Sequence, residues 1–163
     1  MDFEALEAIR QLKHRYLRSL DLKQWDDYGD TMCEDIVGKY GSPSGGLPAE
    51  FRGRDAIVDF MRNALDGKNI ISVHVANHPE ITVDGDTASG SWCLEDTIIA
   101  ADYGILIRGA AYYHDTYRRE DGVWRIATTG YQRLYEYTTS TKDLPSFTLT
   151  ANLWAPDSAE AHG

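Results

Sequence analysis

Over the first twenty residues, Phe3, Leu6, Ile9, Leu12, Tyr16, Leu17 and Leu20 recur at helical spacing, and Lys13 is the only polar residue on that stripe. The pattern predicts a helix that Asp2 caps and that ends near Leu20. Asp21 then falls at the helix C-terminus, where a carboxylate meets the negative end of the helix dipole. Such a placement marks either a turn former or a residue kept for function. A short second helix is predicted over Trp25–Cys33, a strand over Asp35–Gly41, and a loop over Gly41–Pro48 from its Gly/Pro/Ser composition. A third helix over Arg54–Leu65 places Ile57, Phe60, Met61 and Leu65 on one side.

From Ile70 the hydrophobic period changes to two. Strands are predicted at Ile70–Ala76 and Glu80–Val83, with a hairpin turn at Asp84-Gly85-Asp86. A long strand follows from Thr87 to about Ala101, then a turn at Asp102–Gly104 and a strand over Ile105–Arg119. Asp121-Gly122 turns into a last strand from Val123 to about Tyr137. Helices first and a strand meander later is an α+β pattern. The tail from Ser140 is polar, with Phe147, Leu149, Leu153 and Trp154 as docking points.

A chain of 163 residues with 42% hydrophobic and 26% charged residues has the length and composition of one globular domain. Its formal net charge of −10 and scattered basic residues argue against nucleic acid, which needs clustered Lys and Arg. The apolar runs are too short to span a bilayer, and the N-terminus has neither a basic n-region nor an apolar h-region. Cys33 and Cys93 lack metal or redox spacing and read as reduced, so a cytoplasmic protein is expected.

Strand parity puts Trp92, Leu94 and Asp96 on one face, so a carboxylate sits among large apolar side chains. If that face is buried, desolvation would equip Asp96 as a proton donor; near the strand end it would simply be solvated. His74 shares its face with Ser72 and Ala76. A chelate of His74 and His78 would need a helix, because on a strand they stand about 13 Å apart. No Cys/His cluster, phosphate loop or nucleophile elbow is present, so neither metal nor nucleotide cofactor is expected. Tyr16 lies on the apolar stripe yet needs a partner for its hydroxyl, and Arg133 shares parity with Tyr131 and Tyr135.

Three segments carry a resemblance: EAIRQLKHRYLRSLDLKQWDDY, ISVHVANHPEITVDGDTASGSWCLEDTII and GAAYYHDTYRREDGVWRIATTGYQRLYE. Together they resemble the SnoaL-like branch of the nuclear-transport-factor-2-like superfamily, and within it the bile acid 7α-dehydratase group. The resemblance spans roughly residues 4 to 137 and implies a cone-shaped α+β barrel, with about three helices on a strongly curved, mixed, mostly antiparallel sheet. Residues 1–140 would form the domain, and 141–163 a tail docked on it or on a neighbouring subunit. The dehydratase's Tyr and Asp, five apart on the first helix, match Tyr16 and Asp21. Its strand His matches His74, the Asp of its W-x-L-E-D motif matches Asp96, and the Arg of its T-G-Y-x-R motif matches Arg133. Trp92 and His78 join Arg133 as expected substrate contacts.

The implied chemistry is elimination of water from an alicyclic, steroid-like or polyketide-like carbonyl compound without a cofactor. His74 would act as base with Asp21 orienting it, Tyr16 as oxyanion donor and Asp96 as acid, while Arg133 anchors an anionic group or the pocket carboxylates. A ketosteroid-isomerase-like double-bond shift uses the same groups, and a non-catalytic small-molecule-binding or interaction domain is the third reading. Ile71, Val73 and Val75 lie opposite His74, so a His74 facing the cone turns them outward. That apolar face implies a homo-oligomer, a dimer as in the superfamily or a trimer as in the dehydratases.

Overall fold

A computed structural model describes residues 2–41 and 49–155. The predicted loop at Gly41–Pro48 therefore lies outside the described residues from 42 onward. Three helices, α1 (Phe3–Asp21), α2 (Trp25–Asp30) and α3 (Arg54–Leu65), pack on six strands. The strands are β1 (Met32–Tyr40), β2 (Ala49–Arg52), β3 (Ile70–Asp84), β4 (Thr87–Ala100), β5 (Ile105–Glu120) and β6 (Val123–Ser140). The sheet order is β2-β1-β6-β5-β4-β3. Only β1 and β6 run parallel. The sheet is thus mixed and mostly antiparallel, and it stays open at β2 and β3 rather than closing into a barrel.

Asp2 caps α1 by accepting a hydrogen bond from the Ala5 amide at 2.9 Å. The stripe then buries Ile9, Leu12, Tyr16, Leu17 and Leu20 against the sheet, where Met32, Ile36, Ile57 and Ile126 are fully buried. Full burial of each such side chain stabilises the fold by about 1.5–3 kcal/mol. Phe3 departs from the expectation: it is the first residue of α1 and is 73% exposed. The second helix is shorter than predicted, and Cys33 belongs to β1 instead.

Lys13, the polar residue of the stripe, is completely buried. Its ammonium sits 2.7 Å from Asp115 Oδ2. The Tyr117 hydroxyl donates to the same carboxylate at 2.9 Å, and the Thr129 hydroxyl donates to its other oxygen at 2.7 Å. Burial lowers the Lys13 pKa, and the Asp115 charge opposes that shift. Because each group is met by several partners, the carboxylate and ammonium are tolerated in the interior.

The two strands predicted at Ile70–Ala76 and Glu80–Val83 are one strand, β3, broken by a register shift between Asn77 and Glu80. His78 occupies that bulge with φ +50°, and Pro79, which cannot donate to the ladder, lies beside it. The tail returns to the turns that follow α1 and α3: Asn152 Nδ2 donates to the Lys68 carbonyl at 3.0 Å, and the Lys23 ammonium lies 4.6 Å from the Trp154 ring centre. Among the described residues, no helix is long and apolar enough to cross a membrane.

Candidate active site

Between α1, α3 and the inner face of the sheet lies a cavity of about 300 Å³. Leu20, Phe60, Met61, Leu65, Leu94 and Ile107 form its apolar walls, while His74, Asp96, Arg133 and Glu136 line it with polar groups. Backbone pairing explains their convergence. His74 on β3 stands directly opposite Asp96 on β4, and directly paired residues of an antiparallel ladder project to the same face.

Asp21 ends α1 beside β3, and its unfavourable dipole position is met by three donors. The Ser72 hydroxyl donates to Oδ1 at 2.8 Å, the His74 amide donates to Oδ2 at 2.8 Å, and His74 Nδ1 lies 2.7 Å from Oδ1. One carboxylate therefore fixes both the strand position and the ring orientation of His74. With Nδ1 engaged, Nε2 is the nitrogen left for chemistry.

Arg133 on β6 reaches across β5 to Asp96, donating from its two terminal nitrogens at 2.6 and 2.8 Å. Its guanidinium is also 3.4 Å from Glu136. Burial works against the Arg133 charge, but the hydrogen bond and charge of Asp96 outweigh it and raise its pKa. The span is possible because the β5 residue opposite Asp96 is Gly109. A β-carbon there would come within 2.7 Å of Arg133 Nη1 and 3.1 Å of Asp96 Oδ1. Gly109→Ala should therefore separate the pair without disturbing the Asp21–His74 contact. A crystal structure of the variant, or nuclear magnetic resonance of the arginine side chains, checks this; an unchanged fork would show that the strand can absorb the methyl group.

Tyr16 is fully buried and does not line the cavity. Its hydroxyl is 2.6 Å from that of Tyr40 and accepts from the Tyr28 hydroxyl at 3.1 Å. Tyr40 does line the cavity, as do Tyr113 and Tyr131. Burial pushes the Tyr16 and Tyr40 pKa values well above the ordinary tyrosine range, so both hydroxyls stay protonated. Neither Trp92 nor His78 is among the lining residues. Trp92 shares the face of Asp96 but lies deeper in the core, with its indole N–H donating to Tyr117 at 2.8 Å. His78 is turned out by the bulge and is exposed. A larger groove of about 590 Å³, between α1 and the β5–β6 turn, holds none of these predicted site residues.

Parity misplaced one aromatic. A bulge between Ala110 and Ala111 pairs Ala110 with Tyr135 and Ala111 with Arg133. The inward face of β6 thus passes from Tyr131 and Arg133 to Glu136, and Tyr135 is 53% exposed. Glu136, Tyr40, Tyr113 and Gly109 were not singled out from sequence; the parity Ile36-Gly38-Tyr40 was the one local signal for Tyr40.

Among the described residues, one group has metal-ligand chemistry: Cys33, Asp35 and Glu120, outside the cavity. Arg118 already bridges both carboxylates, at 2.6 Å each, and burial pushes the Cys33 thiol up to about 11. That cluster is an arginine-bridged ion pair beside a protonated thiol.

A family model for the SnoaL-like domain matches residues 1–129. The chain belongs to the SnoaL-like domain family. Solved structures share the fold of this SnoaL-like domain. Hexachlorocyclohexane dehydrochlorinase LinA Type2 is similar at 18% identity with a TM-score of 0.75, over 91% of this chain and 94% of that one. A proposed scytalone dehydratase from Novosphingobium aromaticivorans is similar at 16% identity and a TM-score of 0.73, over 93% of each chain. ActVI-ORFA from Streptomyces coelicolor is similar at 17% identity and a TM-score of 0.65, over 80% of this chain and 98% of that one. At such identities the likeness concerns the fold.

Proposed function

We propose that the domain is a cofactor-independent lyase that eliminates water from a compact cyclic carbonyl compound whose leaving hydroxyl is β, or vinylogously related, to the carbonyl. The observation that carries this reading is the Asp21–His74 dyad, 2.7 Å long, opening on an apolar cavity. His74 Nε2 takes the proton from the carbon next to the carbonyl. Negative charge builds on the carbonyl oxygen and is held by the Tyr40 hydroxyl, which Tyr16 and Tyr28 back with their own. The role that the motif gives Tyr16 is thus passed on through Tyr40. As the carbonyl re-forms, the electron pair expels the hydroxyl, which leaves as water once protonated.

The acid is the step where geometry modifies the motif-based expectation. Both Asp96 oxygens accept from Arg133, so neither is presented as a donor. Asp96 instead holds the leaving hydroxyl, and the imidazolium of His74, directly across the strand pair, returns its proton to it. Base and acid act from one face, which makes the elimination syn.

The test is to incubate cyclic β-hydroxyketones with the protein and follow product mass. Loss of one water, with deuterium retained or lost on one face only, supports the reading. The isomerase alternative is favoured by an acceptor-only Asp96, and it would give an unchanged mass with a shifted ultraviolet spectrum. A ligand retained without turnover would mark a binder.

The outer sheet face supports self-association. Val73 and Val75 are 51% and 44% exposed, and Tyr135 and Tyr137 stack beside each other on the same sheet. A dimer or trimer is expected by light scattering at micromolar concentration, and Val73→Lys should shift it towards monomer. A monomeric parent protein would remove this part of the proposal.

A further inference from the structure

Tyr113 and Lys13 are absent from the mechanism above, although Tyr113 lines the same cavity and Lys13 is buried behind it. Tyr113 on β5 lines the cavity and is 2% exposed. Its ring meets the Tyr131 ring edge to face at 5.5 Å. Its hydroxyl has no hydrogen-bond partner among the described residues and is not among the polar atoms sealed from solvent, so it is open to the cavity. A hydroxyl open to a cavity and unused by the protein is available to bond to whatever fills that space. A phenylalanine would fill the same place in the wall without offering that donor, so the hydroxyl points to a ligand atom.

Behind the ring lies the Lys13 ammonium, 3.4 Å from the Tyr113 ring centre and 4.8 Å from that of Tyr16. Asp115, tied by the Tyr117 and Thr129 hydroxyls, fixes the ammonium in place. A cation on the face of a phenol draws electron density from it and makes its O–H a stronger donor. Burial also pushes the Tyr113 hydroxyl well above the ordinary tyrosine range, so it remains a donor throughout the working pH. Asp96 and Glu136, paired to the one guanidinium of the cavity, offer acceptors instead.

We infer that Tyr113 is a ligand-binding residue that donates to an acceptor oxygen, and that Lys13 is the positioning cation that strengthens this donor. The ligand is therefore oriented by polarity: its carbonyl faces Tyr113 and Tyr40, and its hydroxyl faces the carboxylates. The inference rests on the cavity being the ligand site proposed above, but not on the elimination itself.

The test reads binding rather than turnover. Two probes of nearly equal shape, 1-indanone and indane, differ in one acceptor oxygen; both are measured by ligand-observed nuclear magnetic resonance. Wild-type protein should prefer indanone by about tenfold, the effect of one buried hydrogen bond. Tyr113→Phe should reduce the preference several-fold by weakening indanone alone, Tyr40 remaining as a donor. Lys13→Met combined with Asp115→Asn, which removes both buried charges, should reduce the preference several-fold while indane binding is unchanged. If circular dichroism shows that the double variant is unfolded, Lys13→Arg, which keeps the charge but moves it off the ring, replaces it. Equal affinities in the wild type, or no binding of either probe, overturn the inference. A preference undiminished by Tyr113→Phe removes Tyr113 as a donor, and one undiminished by loss of the ammonium leaves Lys13 a purely structural residue. Binding as expected with no elimination of any hydroxyketone would overturn the lyase reading and leave this one standing.

Discussion

Replacing His74 by alanine should lower turnover on a confirmed substrate by about a hundred- to ten-thousand-fold, the usual contribution of a general acid–base group. The loss should fall on kcat, because the apolar walls that bind the ligand are untouched. The fold should survive, since Asp21 keeps two of its three donors, the Ser72 hydroxyl and the backbone amide of residue 74. Asp21→Asn should reproduce much of the effect: an amide can turn its NH₂ towards Nδ1 and so favour the wrong tautomer. Steady-state kinetics on both variants, with added imidazole for His74→Ala, decide the matter. Full activity in a folded His74→Ala protein would mean that the dyad is structural and that the base lies elsewhere.

The largest stability effect is expected at Lys13. Lys13→Met leaves the Asp115 carboxylate in the interior without its counter-charge, and breaking a buried pair in this way costs about 3–5 kcal/mol. For a domain of this size each kcal/mol moves the melting temperature by roughly 2–4 °C, so a drop on the order of 10 °C is expected by calorimetry. Removing both charges should recover most of it, because an uncharged interior of similar shape is often as stable as the ion pair. If the double variant melts lower than the single one, the penalty lies in packing around Asp115 and not in the stranded charge.

How far the fold was readable depended on whether a signal was local. The α1 stripe, the third helix and the long strands of the meander follow from residues close in sequence, and they stand where their periodicity puts them. His74, Asp96 and Arg133 were indicated by parity and motif, and they meet at one cavity. What escaped is non-local. Lys13 looks like a flaw in an apolar stripe until Asp115, 102 residues away, is seen to be its partner. β2 is four residues long, too short to show a period, and exists because β1 offers it an edge. A single extra residue on β6 reverses parity after Arg133, which is why Tyr135 faces out and Glu136 faces in. Tyr16 illustrates a different limit. The motif points to Tyr16, yet of the hydroxyls joined there it is Tyr40 that lines the cavity.

The two crowded glycines bear on attempts to redesign specificity. A side chain at Gly38 would come within 2.5 Å of the Tyr40 ring and 2.8 Å of Ile57, and one at Gly109 would wedge apart Asp96 and Arg133. Tyr40 and the Asp96–Arg133 pair thus each sit against empty space where a methyl would be. A mutant library aimed at new substrates should therefore freeze these two codons and diversify Met61, Ala64, Ile98 and Ile107, which line the same cavity and leave the reacting groups where they are.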